Sequence, residues 1–323
     1  MKGKTVLWLS VAVMLVLIGC VIFVGVMTVL KWDFTKLSTS KFETNLHEIT
    51  DEFHDISVLT DTAGVVFAPA AGEAVTVECY EQKNITHTVS VKDGVLTVEV
   101  EDTRKWYEHI GINFGSPKVT VRIPAGEYGA LSVRSTTGDT KLPADFCFES
   151  VDISATTGDV ECSASVSGSL NIKLTTGDID LSNVSAHSLD LSVTTGEIEA
   201  SYVTCIGDVT VNVSTGDVEL MAVTCGTFSS RGSTGDLSLK NLIADEIVIK
   251  RSTGDVGFEL MNSRDISITT DTGDVEGTLL TGKTFDAQSD TGRVRVPDSD
   301  PTTGERCKVR CSTGSIKITV ASF

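Results

Sequence analysis

The chain opens with 25 residues, Val6 to Leu30, that carry no charged side chain and are predominantly apolar. At 1.5 Å per residue such a helix exceeds a hydrocarbon core of ~30 Å, which roughly 20 residues span. The pattern predicts a transmembrane helix over residues 6–30 within an anchor at 1–31, followed by a linker at 32–41. A cleavable secretory signal has an apolar core of only about 7 to 15 residues, so the run reads as an uncleaved anchor. Beyond the linker the period changes to two. Val75-Thr76-Val77-Glu78, Val95 to Val100 after the Asp93-Gly94 turn, and Val119 to Ile123 before Pro124 all alternate as half-buried strands do.

From residue 131 the alternation is locked to a repeat. Thr-Gly-Asp or a close variant recurs with its glycine at Gly138, Gly158, Gly177, Gly196, Gly216, Gly235, Gly254, Gly273, Gly292 and Gly314. Successive spacings are 19 or 20 residues up to Gly292, then 22. Seven and five residues before the glycine the positions are mostly apolar, as in Leu170 and Ile172 or Ile247 and Ile249. Two and four residues after it they are apolar again, as in Ile179 and Leu181. The offset from five before to two after is odd, so the turn must reset the phase, and glycine suits a corner with positive φ. Nine residues after the glycine stand small or kinked residues, among them Ala186, Cys205, Cys225 and Pro301, which predicts a second tight corner there.

Two short strands per repeat, neither able to bury its face alone, require stacking of successive coils. The expected fold is all-β: a right-handed parallel β-solenoid of about ten 19-residue coils over residues 131–323. Residues 42–130, strand-like but without the repeat, are expected to form an N-terminal β cap over the first open edge. The last coil, ending Ile318-Thr319-Val320, is expected to leave the distal edge open.

Composition sharpens this. With 26 basic against 44 acidic residues the net charge is −18, which excludes a general nucleic-acid binder. The acidity is uneven: residues 293–323 hold six basic and three acidic side chains. Arg293, Arg295 and Arg310 therefore mark a basic distal tip, either protecting the open edge or contacting an anionic envelope polymer or a neighbour's acidic flank. Trp106 and Tyr107 are candidates for an exposed contact loop, with an aromatic plug over the cap as the other reading.

The segment Lys118-Val119-Thr120-Val121-Arg122-Ile123-Pro124, followed by Ser135-Thr136-Thr137-Gly138-Asp139 and the later copies, resembles the bacterial "putative adhesin" family of unknown function. The resemblance implies envelope association and an N-terminal membrane segment, and brings no catalytic residues. Leu17-Ile18-Gly19-Cys20 also resembles the lipobox of bacterial lipoproteins, which makes lipidation at Cys20 the alternative anchor. The positive-inside count is tied, with Lys2, Lys4 and the amino terminus against Lys31, Lys36 and Lys41; the short tail favours a cytoplasmic N-terminus and an external body.

Candidate chemistry is sparse. Gly277 to Thr284 fits G-x-x-x-x-G-K-[ST], but a phosphate loop must open a helix, and here it would delete a coil. The acidic column Asp139, Asp159, Asp178, Glu197, Asp217, Asp236, Asp255 and Asp274 reads as turn-capping carboxylates. A cation rail needs six to eight oxygens, and a glycosidase pair needs two carboxyls about 5 to 9.5 Å apart across a groove. His47, Asp51, His54 and Asp55 have helical metal spacing but lie in a β region, so they read as a solvated lead-in. Cys205 and Cys225 share a column in adjacent coils, within disulfide range but expected as packed thiols. No cofactor, metal or nucleotide is expected. The function expected is a non-enzymatic, membrane-anchored, extracytoplasmic interaction module, with membrane and envelope polymer or protein as partners. A β-helix hydrolase or lyase acting on envelope polysaccharide is the alternative.

Overall fold

A computed structural model of the chain describes residues 2–33, 41–105 and 115–322. Helix α1 (Lys2–Val29) contains Leu7–Val29, 23 residues of mean hydropathy 2.9, long and apolar enough to cross a membrane. Among the described residues, every element after it is a β-strand.

The first strands are β1 (Phe42–Ile49), β2 (Asp55–Thr60), β3 (Gly64–Pro69), β4 (Val75–Gln82), β5 (Ile85–Lys92), β6 (Val95–Asp102), β7 (Lys118–Ile123), β8 (Gly126–Thr137) and β9 (Thr140–Leu142). Antiparallel pairing links β1 to β4, β4 to β7 and β5 to β6, the last around Asp93 and Gly94, both at positive φ. By contrast β2 and β3 run parallel to β8 and β9, placing Ile56 beside Leu131, Val58 beside Val133 and Val65 beside Thr140. Parallel stacking thus begins with Asp55–Pro69, inside the segment expected as cap. Its turn, Asp61-Thr62-Ala63-Gly64, lacks the Thr-Gly-Asp signature and keeps one of the recurring bonds, Val65 N–H to Asp139 O, while Ala63 N–H, aligned with the motif glycine, goes to Thr60 Oγ1 and Thr137 N–H donates to Asp61 O. Strands β6 and β7 cover the other side of this coil, so its edge is paired.

From there the coils stack in parallel and in register, Val151 on Leu170 and Ile153 on Ile172. The inward columns close a continuous core. In one coil Leu170, Ile172, Leu174, Ile179, Leu181 and Val184 are all at most 2% exposed. Each such side chain contributes roughly 1.5–3 kcal/mol relative to exposure.

All ten motif glycines have φ between +123° and +155°, which resets the strand phase at the corner. Stacking adds a second demand. A Cβ at Gly235 would lie 2.0 Å from the carbonyl oxygen of Gly216, and one at Gly216 1.9 Å from that of Gly196. A corner precedes the one expected nine residues beyond the glycine. It lies six beyond, where Asn183, Tyr202, Ala222, Asn241 and Leu260 adopt φ of 53° to 57°. The column nine beyond belongs to a third short run, and Ala186, Cys205, Cys225, Ala244 and Ser263 there are buried. The expected corner follows at once in several coils, with bends at 167–168, 187, 206–207 and 264, so each of these coils turns three times.

The last coils are out of sequence order. Strand Arg306–Thr313 pairs on one side with Asp265–Thr272 and on the other with Thr284–Thr291. Ile316–Val320 is likewise flanked by Val275–Leu279 and by Val294–Arg295. The C-terminal coil is therefore intercalated, and the open distal edge belongs to residues 284–295 instead of Ile318-Thr319-Val320. The inward columns explain the exchange. Cys307, Val309, Ile316 and Ile318 are at most 3% exposed, whereas the terminal coil offers Phe285, Ala287 and Ser289, only half-buried. The more apolar coil occupies the position with two neighbours.

Two outcomes follow from these geometries. Gly235→Ala should destabilise by on the order of 1 to 3 kcal/mol from backbone strain alone, more than Asp236→Asn, as read by urea unfolding. Paired cysteines at Thr269 and Arg310, in adjacent coils about 4.8 Å apart, should cross-link. A pair at Thr269 and Gln288 should not; the reverse would restore sequence-order stacking.

Candidate binding surfaces

The acidic column is tied to the turn ridge by hydrogen bonds. Asp139 Oδ1 accepts the backbone N–H of Asp159 at 3.0 Å, Asp159 that of Asp178 at 2.9 Å, and Asp178 that of Glu197 at 2.7 Å. Asp217, Asp236 and Asp255 repeat this toward the next coil, and Asp274 accepts from Ser315, the next coil in space. Glu197, one methylene longer, makes no such bond to Asp217 among the described residues. One carboxylate oxygen in each of these aspartates is thus held by a turn amide of the adjacent coil, so the column ties coil to coil instead of capping its own turn.

Beside this ridge at the first coils lies a groove of about 800 Å³. Lys118, Lys141 and Arg104 line it with Asp139, Asp159 and Glu161. Lys141 pairs with Glu161, and Arg104 with Asp102 at 2.6 Å. Trp106 and Tyr107 lie outside the described residues.

Close to this groove is a buried polar cluster that sequence reasoning missed. Glu81 is 1% exposed and His87 5%. The Oε2 of Glu81 accepts the backbone N–H of His87 at 2.7 Å and faces its Nδ1 at 2.7 Å. Asn45 Nδ2 donates to Oε1 at 2.7 Å, and Nε2 of His87 meets Thr60 Oγ1 at 3.2 Å. Cys79, Glu81 and His87 form the one group of potential metal ligands among the described residues, their ligand atoms within 4.8 Å. Every hydrogen-bonding atom of the Glu81–His87 pair already has a protein partner. Burial, then the charges of Glu81 and Glu78, pushes the Cys79 thiol up to about 12, so it stays protonated. The sequence signal was phase: Glu81 falls on the inward side with Val77 and Cys79.

The other candidates separate. His54 Nε2 lies 3.7 Å from Glu149, while Asp55 Oδ1 accepts the Ala130 N–H at 2.8 Å. His47, on β1, is not grouped with them as a metal site. Cys205 and Cys225 are free, buried thiols, pushed by burial to about 11 and about 12. In the phosphate-loop look-alike no helix follows: Gly277 lies in strand Val275–Leu279 and Thr284 opens another strand. Lys283 is fully buried, donating to Asn262 Oδ1 at 3.0 Å, Thr281 Oγ1 at 2.8 Å and the Glu305 carboxylate. At the tip, Arg310 binds the Asp286 carboxylate at 2.6 Å one coil outward, and Arg293 and Arg295 lie exposed on the terminal coil.

Parallel strands stacked in register and turning on a glycine ridge, with a packed apolar interior, make this protein a β-solenoid. A family model described as Toastrack DUF4097 matches residues 53–206 and 201–322, and the chain belongs to that family. Among solved structures it is similar to a "putative adhesin" from Parabacteroides distasonis at 13% identity, covering 88% of this chain and 98% of that one with a TM-score of 0.47. A "putative adhesin" from Parabacteroides merdae is similar at 12% identity, 88% and 98% coverage and a TM-score of 0.44. A "putative lipid binding protein" from Parabacteroides distasonis is similar at 13%, 88% and 98%, and 0.43. No curated protein matches. The family expected from the repeat motif is the one found.

The Lys283–Glu305 pair yields a pH prediction. The Lys283 N–H donor holds the Glu305 carboxyl below its usual range. A depressed folded-state value contributes stability above the unfolded value of about 4.3, lost as pH falls through the folded one. Urea unfolding at pH 7 and pH 3 should show a smaller acid loss in Lys283→Met than in the native chain, whereas Glu305→Ala, which leaves a buried ammonium unpaired, should cost roughly 3 kcal/mol at pH 7.

Proposed function

We propose that the chain is a membrane-anchored, extracytoplasmic interaction module of the cell envelope that acts without catalysis. The observation that carries this reading is the joining of one apolar helix, Leu7–Val29, to a continuous solenoid whose turn carboxylates are bonded to backbone amides. Such a ridge is rigid and repetitive, and it presents side chains at fixed spacing, which suits recognition of an extended polymer or a protein face. The groove beside the first coils and the exposed Arg293 and Arg295 are the surfaces on which an envelope polymer or protein would dock. Membership of a family whose structural relatives carry adhesin names agrees with this role.

Protease added to cells stripped of their wall should digest the body and leave a protected fragment ending near Leu30. Complete protection of the body would overturn the topology. The same chain, purified in detergent and incubated with envelope polysaccharides, should release no new reducing ends. Turnover that disappears in Asp159→Asn or Asp178→Asn would instead establish the hydrolase or lyase.

A further inference from the structure

Among the described residues of the coils from Leu131 onward, five large apolar side chains are exposed: Tyr202, Ile206, Met221, Ile243 and Val294. Val294 lies on the terminal coil. The other four, between 40% and 79% exposed, share one face of three consecutive coils. Thr204 pairs with Thr224 and Thr224 with Ile243, which makes one outward column, and Met221 is the partner of Ser201, next to Tyr202. Residues 200–207 and 220–227 carry no charge. Single exposed apolar residues are ordinary, but a contiguous group marks a contact surface.

The repeat itself does not call for either corner residue. Tyr202 takes a φ of 56° at the corner that Asn183 and Asn241 fill in other coils. Asparagine tolerates this left-handed conformation, whereas tyrosine adopts it at a cost. At the next corner three residues join Cys205 to Val209, where two join Ala186 to Leu189, although Cys205 is the register partner of Ala186 and Val209 of Leu189. In that lengthened corner Ile206 is the most exposed large apolar side chain of the coils. Both departures hold apolar surface in water, where the fold gains nothing from it.

Charge decides what can cover the face. Exposed Glu199 and Glu219, themselves register partners, flank it on one side, and exposed Asp208, Asp245 and Glu246 on the other. None of the five has an ion-pair partner among the described residues. Lys240 is the one opposing cation on this side of the three coils, and His187 borders it from the coil before. An anionic lipid surface or acidic polymer is repelled by such a rim, and a second copy would bring the same carboxylates to the same face. Exposed tyrosine and methionine suit a protein partner. We propose that this face docks a protein segment of another kind of chain, one that carries apolar side chains flanked by lysine or arginine. Tyr202 and Ile206 are the anchors, and the five carboxylates select the cations. The surface is separate from the groove beside the first coils and from the basic tip.

The test uses the full chain in nanodiscs of neutral phosphatidylcholine, with empty discs as the blank. Three synthetic peptides of equal length alternate leucine with lysine, leucine with glutamate, and serine with lysine. By isothermal titration the leucine–lysine peptide should bind about tenfold or more tightly than either of the others, and less tightly as salt rises. Tyr202→Asn/Ile206→Ser should weaken that binding about tenfold or more, with a Tm at or above the native value because asparagine fits the same corner in other coils. Glu199→Gln/Asp208→Asn/Glu219→Gln should narrow the preference for lysine over glutamate. Failure of the leucine–lysine peptide to bind, equal binding of the lysine and glutamate peptides, or equal binding by the native and Tyr202→Asn/Ile206→Ser chains would overturn the proposal. Loaded discs that pair with one another through Tyr202 would also overturn it, by assigning the face to a second copy.

Discussion

The close approach of one turn to the next governs this molecule. Coils of a parallel solenoid climb by one strand spacing, about 4.8 Å, so every corner sits directly on its predecessor. At the motif glycine the space above Cα is taken by the preceding carbonyl oxygen, about 2 Å from where a Cβ would stand. The same residue must hold positive φ to return the chain in phase with the inward columns. Both demands fall on one position per coil, which is why the glycine spacing remains near 19 residues while the outward side chains vary.

Polar groups are arranged around that ridge. Aspartates beside the glycines accept amides of the following coil, so the turn's donors are satisfied along the axis. Inside, polar side chains are exceptional. The Glu81–His87 pair, bonded to Asn45 and Thr60, and Lys283, bonded to Glu305, Asn262 and Thr281, replace lost hydration with complete sets of partners. Arg251 departs from this rule, keeping two donor nitrogens unused beside a glycine that leaves them room.

The ends of the stack are managed differently. At the start, β6 and β7 pair with the first coil and leave it no open edge. At the far end the terminal coil, Thr284 to Arg295, has a neighbour on one side only. Its inward residues are small or half-buried, and Arg293 and Arg295 stand exposed beside it. Charged side chains at an unpaired edge discourage addition of further strands. Placing the more apolar C-terminal coil one level inward confines poorly covered surface to the residues that tolerate it.

What the sequence determined by itself was whatever repeats with the backbone's own period. Alternating columns, the recurring Thr-Gly-Asp and the uninterrupted apolar run specify strands, phase-resetting corners and a spanning-length helix through local geometry, whereas the turn aspartates find their amides only in the neighbouring coil. Only tertiary structure could decide which coils are neighbours. Parallel stacking offers almost the same register to any two coils, so Arg306–Val320 enters between two earlier coils because its inward side chains are more apolar, a comparison of burial between distant segments. The coil at Asp55–Pro69 escaped notice because its turn lacks the Thr-Gly-Asp signature and bonds differently, with Ala63 N–H to Thr60 Oγ1 and Gly64 N–H to Pro117 O. Arg251, Lys283 and the Glu81–His87 pair were hidden for the same reason: a charged residue in an inward column is one letter in the sequence, and its partners, or the lack of them, are supplied by residues about twenty positions away or by another strand folded against it.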